Sequence, residues 1–472
     1  MLNYALAPLH TRVFVNQSDY GIISELYSYV TFLNVIFMFG LETAYFRFAT
    51  KNQTELEKDK VFSTSQISLL FSTVFFVGIL MFYAADLAAF LHYPGHANYV
   101  QFFALIIGFD TLVNIPFARL RLEGRPWKYF SIKLMNILIN ITLNFFFLWP
   151  ALKHNYDMFS GIGYTYNPDY GIAYVFVANL IASAATFAIF LPSLIKFKFD
   201  IDVWKKLMRY GAPLIIIGMA GMVNETLDRV LLKYWGNGTL EENLKQVGIY
   251  SAVYKISIFM TLAVQGFRMG AEPFFFSHSV EQNAKAVYAQ VMKYFVIACS
   301  MILLGVGMFP DVFKIIIGEE FHSGLPIVPI LLMANLFLGI YYNQAVWYKL
   351  TDKTAFATII PLAGAAITII MNYLLIPRIG YTGSAWATFG CYFSMVIMSY
   401  FIGQKHYHVP YNLRKIGAYI LMALALCLLG LYILHHSSHP AFAVIIRIIF
   451  FIIFCGFAWW LDLSKLFKRR TN

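Results

Sequence analysis

Three ionisable residues share one apolar segment of the chain, residues 247–276, where a charge is costly unless it is paired or serves a function. Arg268 and Glu272 stand four residues apart, and Lys255 comes earlier on the same segment. The guanidinium of an arginine is planar and permanently charged, which suits it to bind oxyanions. We therefore predict that Arg268, Glu272 and Lys255 belong to a binding site.

Five further ionisable residues lie in other apolar segments and complete the candidate set: Glu25, Glu42, Asp110, Glu225 and Arg229. A purely structural role remains an alternative. Residues four apart on a helix are neighbours, so Arg268–Glu272 and Glu225–Arg229 could each neutralise their own charges. Arg229 also stands near the end of its segment, from which its head could reach water.

The composition indicates which elements carry these side chains. Of the 472 residues, 60% are hydrophobic and 12% are charged, and the mean hydropathy is +0.65. Soluble proteins are about 25% charged, and so few polar residues cannot cover a water-soluble core of this size. The net charge of +11 comes from basic residues that lie between the apolar stretches, which favours a membrane partner over nucleic acid. The four cysteines lie inside apolar stretches and predict neither a disulfide nor a metal site.

Spanning helices need roughly 20 mostly apolar residues, and thirteen segments meet that length. They are residues 22–46, 65–85, 98–118, 129–150, 171–192, 210–234, 247–276, 288–309, 325–347, 355–376, 382–403, 413–434 and 441–461. Residues 1–9 resemble the end of a further helix, so we expect a truncated first helix. Alternate loops carry 23 basic residues against 5 in the other set, which predicts a cytoplasmic C-terminus.

The two halves of the sequence resemble each other. Residues 11–13, 20–22, 40–42, 144–145 and 171–173 recur in the same order as 228–230, 247–249, 270–272, 372–373 and 383–385. A six-span repeat in one orientation predicts two lobes around a cleft. We predict an N-terminal lobe (1–192), a linker (193–209), a C-terminal lobe (210–403) and two extra helices with a basic tail (404–472).

Four motifs support a resemblance to a known family. They are 8–14 (PLHTRVF) with 19–21 (DYG), 40–47 (GLETAYFR), 118–125 (ARLRLEGR), and 228–232 (DRVLL) through 247–250 (VGIY) to 267–274 (FRMGAEPF). The chain resembles the polysaccharide-exporter, O-antigen-type flippases of the multidrug/oligosaccharidyl-lipid/polysaccharide (MOP) superfamily. The resemblance implies an all-α polytopic membrane protein with two pseudo-symmetric, MATE-like six-helix lobes and two extra C-terminal helices.

The resemblance also implies a function. Such proteins move undecaprenyl-diphosphate-linked oligosaccharide from the cytoplasmic to the outer leaflet of the bacterial inner membrane, by alternating access. They are not enzymes and need no cofactor, although coupling to H⁺ or Na⁺ stays open. The expected partners are the glycolipid, the bilayer and other polysaccharide-assembly proteins. Arg268, with Lys255, would hold the diphosphate, and Glu272 with its repeat partner Glu42 would be neutralised during switching.

Two other functions remain open. The chain could be a cation-coupled multidrug exporter of the same superfamily, although the extra helix pair disfavours this. It could also be an integral membrane glycosyltransferase or polymerase of the same pathway. No loop is long enough to form a catalytic domain, which argues against an enzyme.

Overall fold

The computed structural model describes residues 5–51, 54–194, 198–278, 281–351, 353, 355–437 and 439–463, without the side chains of 194, 272, 273, 276, 440 and 463. Every regular element in these ranges is helical, which confirms the all-α class. Thirteen described segments are long and apolar enough to cross a membrane, as predicted. The basic tail at 465–470, Lys196 and residues 1–4 lie outside the described ranges.

The chain divides into two compact units, one of residues 1–14 and 23–222, the other of residues 15–22 and 223–472. The predicted lobe boundaries rest on the internal repeat, which a division by contacts does not test, so they stay a prediction. The first nine helices are α1 (Ala7–Val13), α2 (Gln17–Met38), α3 (Leu41–Lys51), α4 (Glu55–Phe82), α5 (Ala84–Phe90), α6 (Ala97–Leu122), α7 (Pro126–Leu152), α8 (Ala173–Phe190) and α9 (Ile201–Trp235).

The first predicted span is interrupted between α2 and α3. Phe39 and Gly40 both have positive φ, 49° and 65°, a region that costs a residue with a Cβ. A Cβ on Gly40 would also lie 2.5 Å from the carbonyl oxygen of Gly211, and one on Gly211 would lie 2.6 Å from that of Phe39. The backbones therefore approach closely because both positions lack a side chain.

Asp200 fixes the start of α9. Its Oδ1 accepts the backbone N–H groups of Asp202 (3.0 Å) and Val203 (3.1 Å), the capping geometry that satisfies first-turn donors. The Val203 N–H bond is the main reason that the pKa of Asp200 is lowered, and Lys60 at 3.3 Å adds to the effect.

The remaining helices belong to the second unit. They are α10 (Leu240–Tyr254), α11 (Ile258–His278), α12 (Ala284–Gly307), α13 (Pro310–Phe313), α14 (Val328–Gln344), α15 (Val346–Leu350), α16 (Phe356–Ile379), α17 (Tyr381–His406), α18 (Leu413–His436) and α19 (Pro440–Ala458). The predicted span 247–276 is not one helix, because a 3₁₀ turn at Lys255–Ser257 separates α10 from α11. Such turns within a span change its direction and side-chain register.

Two predicted repeat partners, Gly21 and Gly248, lie against each other in the second unit. A Cβ on Gly21 would collide with the carbonyl oxygen of Leu244, and one on Gly248 with that of Gln17. Each imagined Cβ also lies 3.2 Å from the backbone nitrogen of the other glycine. Two residues that the predicted repeat makes equivalent thus make equivalent contacts with each other.

A second pair of repeat partners, Asn144 and Asn372, makes equivalent hydrogen bonds in separate units. Both are fully buried. Asn144 donates to the carbonyl of Asn140 (2.9 Å), and Asn372 donates to that of Thr368 (2.8 Å), each four residues back. Matching roles at matching positions support the predicted repeat.

Charged side chains attach the two extra helices to the second unit. Asp462, 3% exposed, accepts from Lys293 (2.6 Å), Lys415 (3.0 Å) and Tyr419 (2.8 Å), a group that we name the Asp462 clamp. Arg447 of α19 is buried and donates a hydrogen bond to the carbonyl oxygen of Met308. The charged groups of the clamp and the guanidinium of Arg447 thus each have a nearby polar partner.

Candidate functional site

The C-terminal half of α9 presents three ionisable residues close together. Arg229 Nη1 lies 3.1 Å from Asp228 Oδ1 and donates to the carbonyl oxygen of Glu225, also at 3.1 Å. Asp228 is 3% exposed, and its second oxygen accepts a hydrogen bond from Tyr250. Asp228 is thus an ion-pair partner of Arg229 that the sequence interpretation did not name.

Aromatic rings surround Arg229. Its guanidinium carbon lies 4.9 Å from the ring centre of Tyr254 and 5.6 Å from that of Tyr250, both on α10. Cations are attracted to the negative face of such rings. Arg229 therefore lies within the unit, and the proposed alternative of an arginine reaching from a span end to water does not describe it.

Arg268 of α11 is exposed and lies over a ring of α14. Its guanidinium carbon is 4.7 Å from the ring centre of Tyr342. Glu225 is also exposed and lies within electrostatic range of both Arg229 and Arg268. The structure thus brings together residues from two of the segments that the sequence singled out.

Lys255 joins this group from the turn between α10 and α11. It is half-buried and experiences the charge of Arg229. The 3₁₀ turn begins at this residue, so a cation stands where the helix is interrupted. Glu272 follows Arg268 by one turn of α11, but its side chain lies outside the described residues.

We name Glu225, Asp228, Arg229, Lys255 and Arg268 the arginine cluster. It holds three cations against two carboxylates, a formal excess of one positive charge. Exposed charges within a span must face water or a polar partner, because hydrocarbon does not solvate them. A cluster of this kind can bind an oxyanion through Arg268 while Glu225 and Asp228 limit the net charge.

The three candidates of the first unit lie in separate environments. Glu25 is fully buried and accepts hydrogen bonds from Tyr29 (2.8 Å) and Tyr93. Glu42 forms an ion pair with Arg121.

Asp110 interacts with Ser183 and Lys133. These contacts give Glu25, Glu42 and Asp110 local partners of different kinds. Their roles in a common site stay a prediction.

Several members of the site escaped the sequence interpretation. Asp228 was visible as the neighbour of Arg229, and its adjacency to an arginine in an apolar segment was a usable signal. Tyr342 is 74 positions from Arg268, and tyrosine is too common here to single out. Only the fold reveals that contact.

An apolar groove lies elsewhere in the second unit. It has a volume of about 400 Å³ and is lined mainly by side chains of α14, α17 and α18, among them Phe337, Phe393 and Ile420. An apolar groove of this kind suits a hydrocarbon chain. In the part of the chain that the structure describes, no group of three His, Cys, Asp or Glu side chains could hold a metal ion.

Solved structures with this fold are flippases and transporters. The structure described as "Lipid II flippase MurJ, inward closed conformation" aligns with a TM-score of 0.68 at 15% identity, over 98% of this chain and 100% of that chain. A multidrug resistance MATE family transporter of the MOP superfamily aligns in its inward-facing conformation with a TM-score of 0.64 at 14% identity, over 88% and 94%. Its outward-facing conformation gives 0.53 at 13% identity, over 88% and 94%. At these identities the likeness establishes the fold, which is that of a MurJ/MATE-like membrane protein.

The family follows from a second comparison. The profile of the family described as "Polysaccharide biosynthesis protein" matches residues 1–277, more than half of the chain. The chain therefore belongs to the polysaccharide biosynthesis protein family, and the resemblance found in its motifs is confirmed. A search of curated protein sequences finds no match.

Proposed function

We propose that this protein is a flippase that moves undecaprenyl-diphosphate-linked oligosaccharide from the cytoplasmic to the outer leaflet of a bacterial inner membrane. The single observation that carries the proposal is the arginine cluster, a net cationic group with Arg268 exposed, within the spans of a chain from a polysaccharide biosynthesis family. A diphosphate is the part of such a lipid that hydrocarbon excludes most strongly.

Each part of the substrate has a matching surface. Arg268 offers an exposed, permanently charged fork for the diphosphate, and Lys255 and Arg229 add positive charge nearby. The apolar groove of about 400 Å³ offers a surface for the polyprenyl chain. Tyr342, half-buried beside Arg268, provides a ring that a sugar can contact.

The rest of the transport cycle is also a proposal. The C-terminus lies in the cytoplasm, transport is by alternating access, and H⁺ or Na⁺ is the candidate coupling ion. Glu225, exposed beside two arginines, is the described carboxylate best situated to be neutralised when the anion leaves. Other polysaccharide-assembly proteins would deliver the glycolipid and receive it.

Transport of a fluorescent lipid-linked oligosaccharide into the outer leaflet of proteoliposomes tests the proposal. Arg268→Ala should reduce the rate at least about tenfold, because a hydrogen bond to a charged group contributes roughly 1.5–3 kcal/mol. Arg268→Lys should retain part of the transport rate, since lysine keeps the positive charge but lacks the planar guanidinium group.

The matched control is Arg414→Ala, which removes an exposed arginine from the start of α18. It should transport at the rate of the unmodified protein. Equal rates for Arg268→Ala and the control would remove Arg268 from the site. Export of a cationic dye with no glycolipid transport would replace the proposal with the multidrug-exporter alternative.

A further inference from the structure

A second cationic site lies at the end of α6, far along the chain from the arginine cluster. Arg119, Arg125 and Lys128 line a pocket of about 270 Å³ together with one carboxylate, Glu123. This is the 118–125 motif of the sequence, to which the proposed transport function assigns no role. The lining thus has three cations and a single anion.

The pocket is built by a specific turn. Gly124 has a φ of 64°, Arg125 N–H donates to the carbonyl of Leu120 (2.9 Å), and Gly124 N–H donates to that of Arg121 (3.2 Å). These two bonds define a Schellman ending, which needs a residue in the left-handed region. The turn therefore holds Arg125 at a fixed place between α6 and α7.

The cations of this pocket differ in how fully they are paired with carboxylates. Arg119 pairs with Asp59 at 2.7 Å and with Glu123 at 2.6 Å, and its guanidinium lies over Phe62. In the part of the chain that the structure describes, Arg125 makes one ion pair, with the already engaged Glu123 at 3.2 Å, and its side chain is 61% exposed. Arg119 is thus neutralised, whereas Arg125 and exposed Lys128 leave the pocket with an excess of positive charge.

The surroundings place the pocket at a bilayer surface. It lies in the turn between two spans, α6 and α7. Trp127 is 80% exposed and Phe130 is 54% exposed on the first turns of α7, and aromatic rings of this kind concentrate at the lipid–water interface. Phe62 and Phe190 form apolar walls beneath the cations.

We propose that this pocket binds the phosphate group of a lipid. Cations at the rim match the phosphate, and the apolar wall with exposed rings matches the adjoining glycerol or polyprenyl segment. Two sources share this chemistry, an anionic phospholipid of the membrane and the diphosphate of a polyprenyl carrier. The inference does not depend on the proposed transport function.

Lipid selectivity of the purified full chain in phosphatidylcholine nanodiscs tests the proposal. The probe is spin-labelled phosphatidylglycerol, whose association relative to spin-labelled phosphatidylcholine is measured by electron paramagnetic resonance. Arg125→Gln with Lys128→Gln should weaken the preference for phosphatidylglycerol roughly 30-fold at the pocket, since each surface cation contributes roughly fivefold. Added salt should weaken it in the unmodified protein as well.

The matched control is Lys205→Gln with Lys206→Gln, two exposed lysines at the start of α9. It removes the same charge from the first unit and should keep the preference. Equal losses in both variants, or no loss in the pocket variant, would overturn the proposal.

Displacement of the bound probe by undecaprenyl diphosphate identifies the source. Displacement at equimolar amounts supports a site that also accepts the polyprenyl carrier. Retention of the probe supports a site for membrane phospholipid. Both results require the pocket, and loss of the probe from the Arg125/Lys128 variant is the shared criterion.

Discussion

Two groups of charges in the second unit have the same formal excess of one positive charge, but their surroundings differ. The arginine cluster holds three cations and two carboxylates, and the Asp462 clamp holds two lysines and one carboxylate. The clamp carboxylate is 3% exposed and is bonded by Lys293, Lys415 and Tyr419. Arg268 and Glu225, by contrast, are exposed. Charge within a span is therefore not enough to identify a binding site, and exposure of the charged side chains is what separates the cluster from the clamp.

The largest expected effect comes from breaking the clamp. Asp462→Asn removes the negative charge between Lys293 and Lys415, and breaking a buried ion pair costs roughly 3–5 kcal/mol. We expect the free energy of unfolding to fall by about 3 kcal/mol, because both lysines retain some access to solvent. An SDS unfolding titration in mixed micelles measures it, and an unchanged midpoint would show that the clamp is not structural.

A smaller effect should follow from removing one of the clamp's lysines. Lys415→Met leaves Asp462 with Lys293 and Tyr419 as partners. We expect a loss of about 1 kcal/mol in the same titration, because the Lys415 side chain is 34% exposed and solvent screens its charge. A loss as large as that of Asp462→Asn would mean that Lys415 alone supports the clamp.

The smallest effect on stability should come from the arginine cluster. Arg268→Ala removes an exposed side chain, and such changes usually alter the free energy of unfolding by less than about 0.5 kcal/mol. The same variant should lose transport, so the two measurements separate a binding role from a structural one. Destabilisation comparable with that of Asp462→Asn would place Arg268 with the clamp.

The spans and the repeat could be predicted because they depend on local composition and order. The length of the apolar segments predicted the thirteen spans. The similarity between the two halves of the sequence predicted that Asn144 and Asn372 are equivalent, and their side chains make equivalent hydrogen bonds. The candidate site could be predicted only in part. The four-residue spacing predicted that Glu225 and Arg229 are neighbours on one helix. It could not predict the contact of Arg268 with Tyr342 or of Asp462 with Lys293, because these contacts join helices that are distant in the sequence.

The interruption at Lys255 was missed for a different reason. Residues 247–276 are mostly apolar and contain no proline before Pro273, so hydropathy indicates a single span. The 3₁₀ turn at Lys255–Ser257 contains neither proline nor glycine. The local sequence therefore carries no helix-breaking signal for this interruption.

The meeting of Gly21 and Gly248 has a consequence for how this chain can vary. The atoms that a new side chain would strike belong to peptide carbonyls, which have no alternative rotamer to adopt. Even the methyl group of alanine would overlap these carbonyl oxygens, so the helix backbone at Gly21 or Gly248 would have to move. We infer that these two codons tolerate no missense change, although neither residue carries any charge or chemistry of its own.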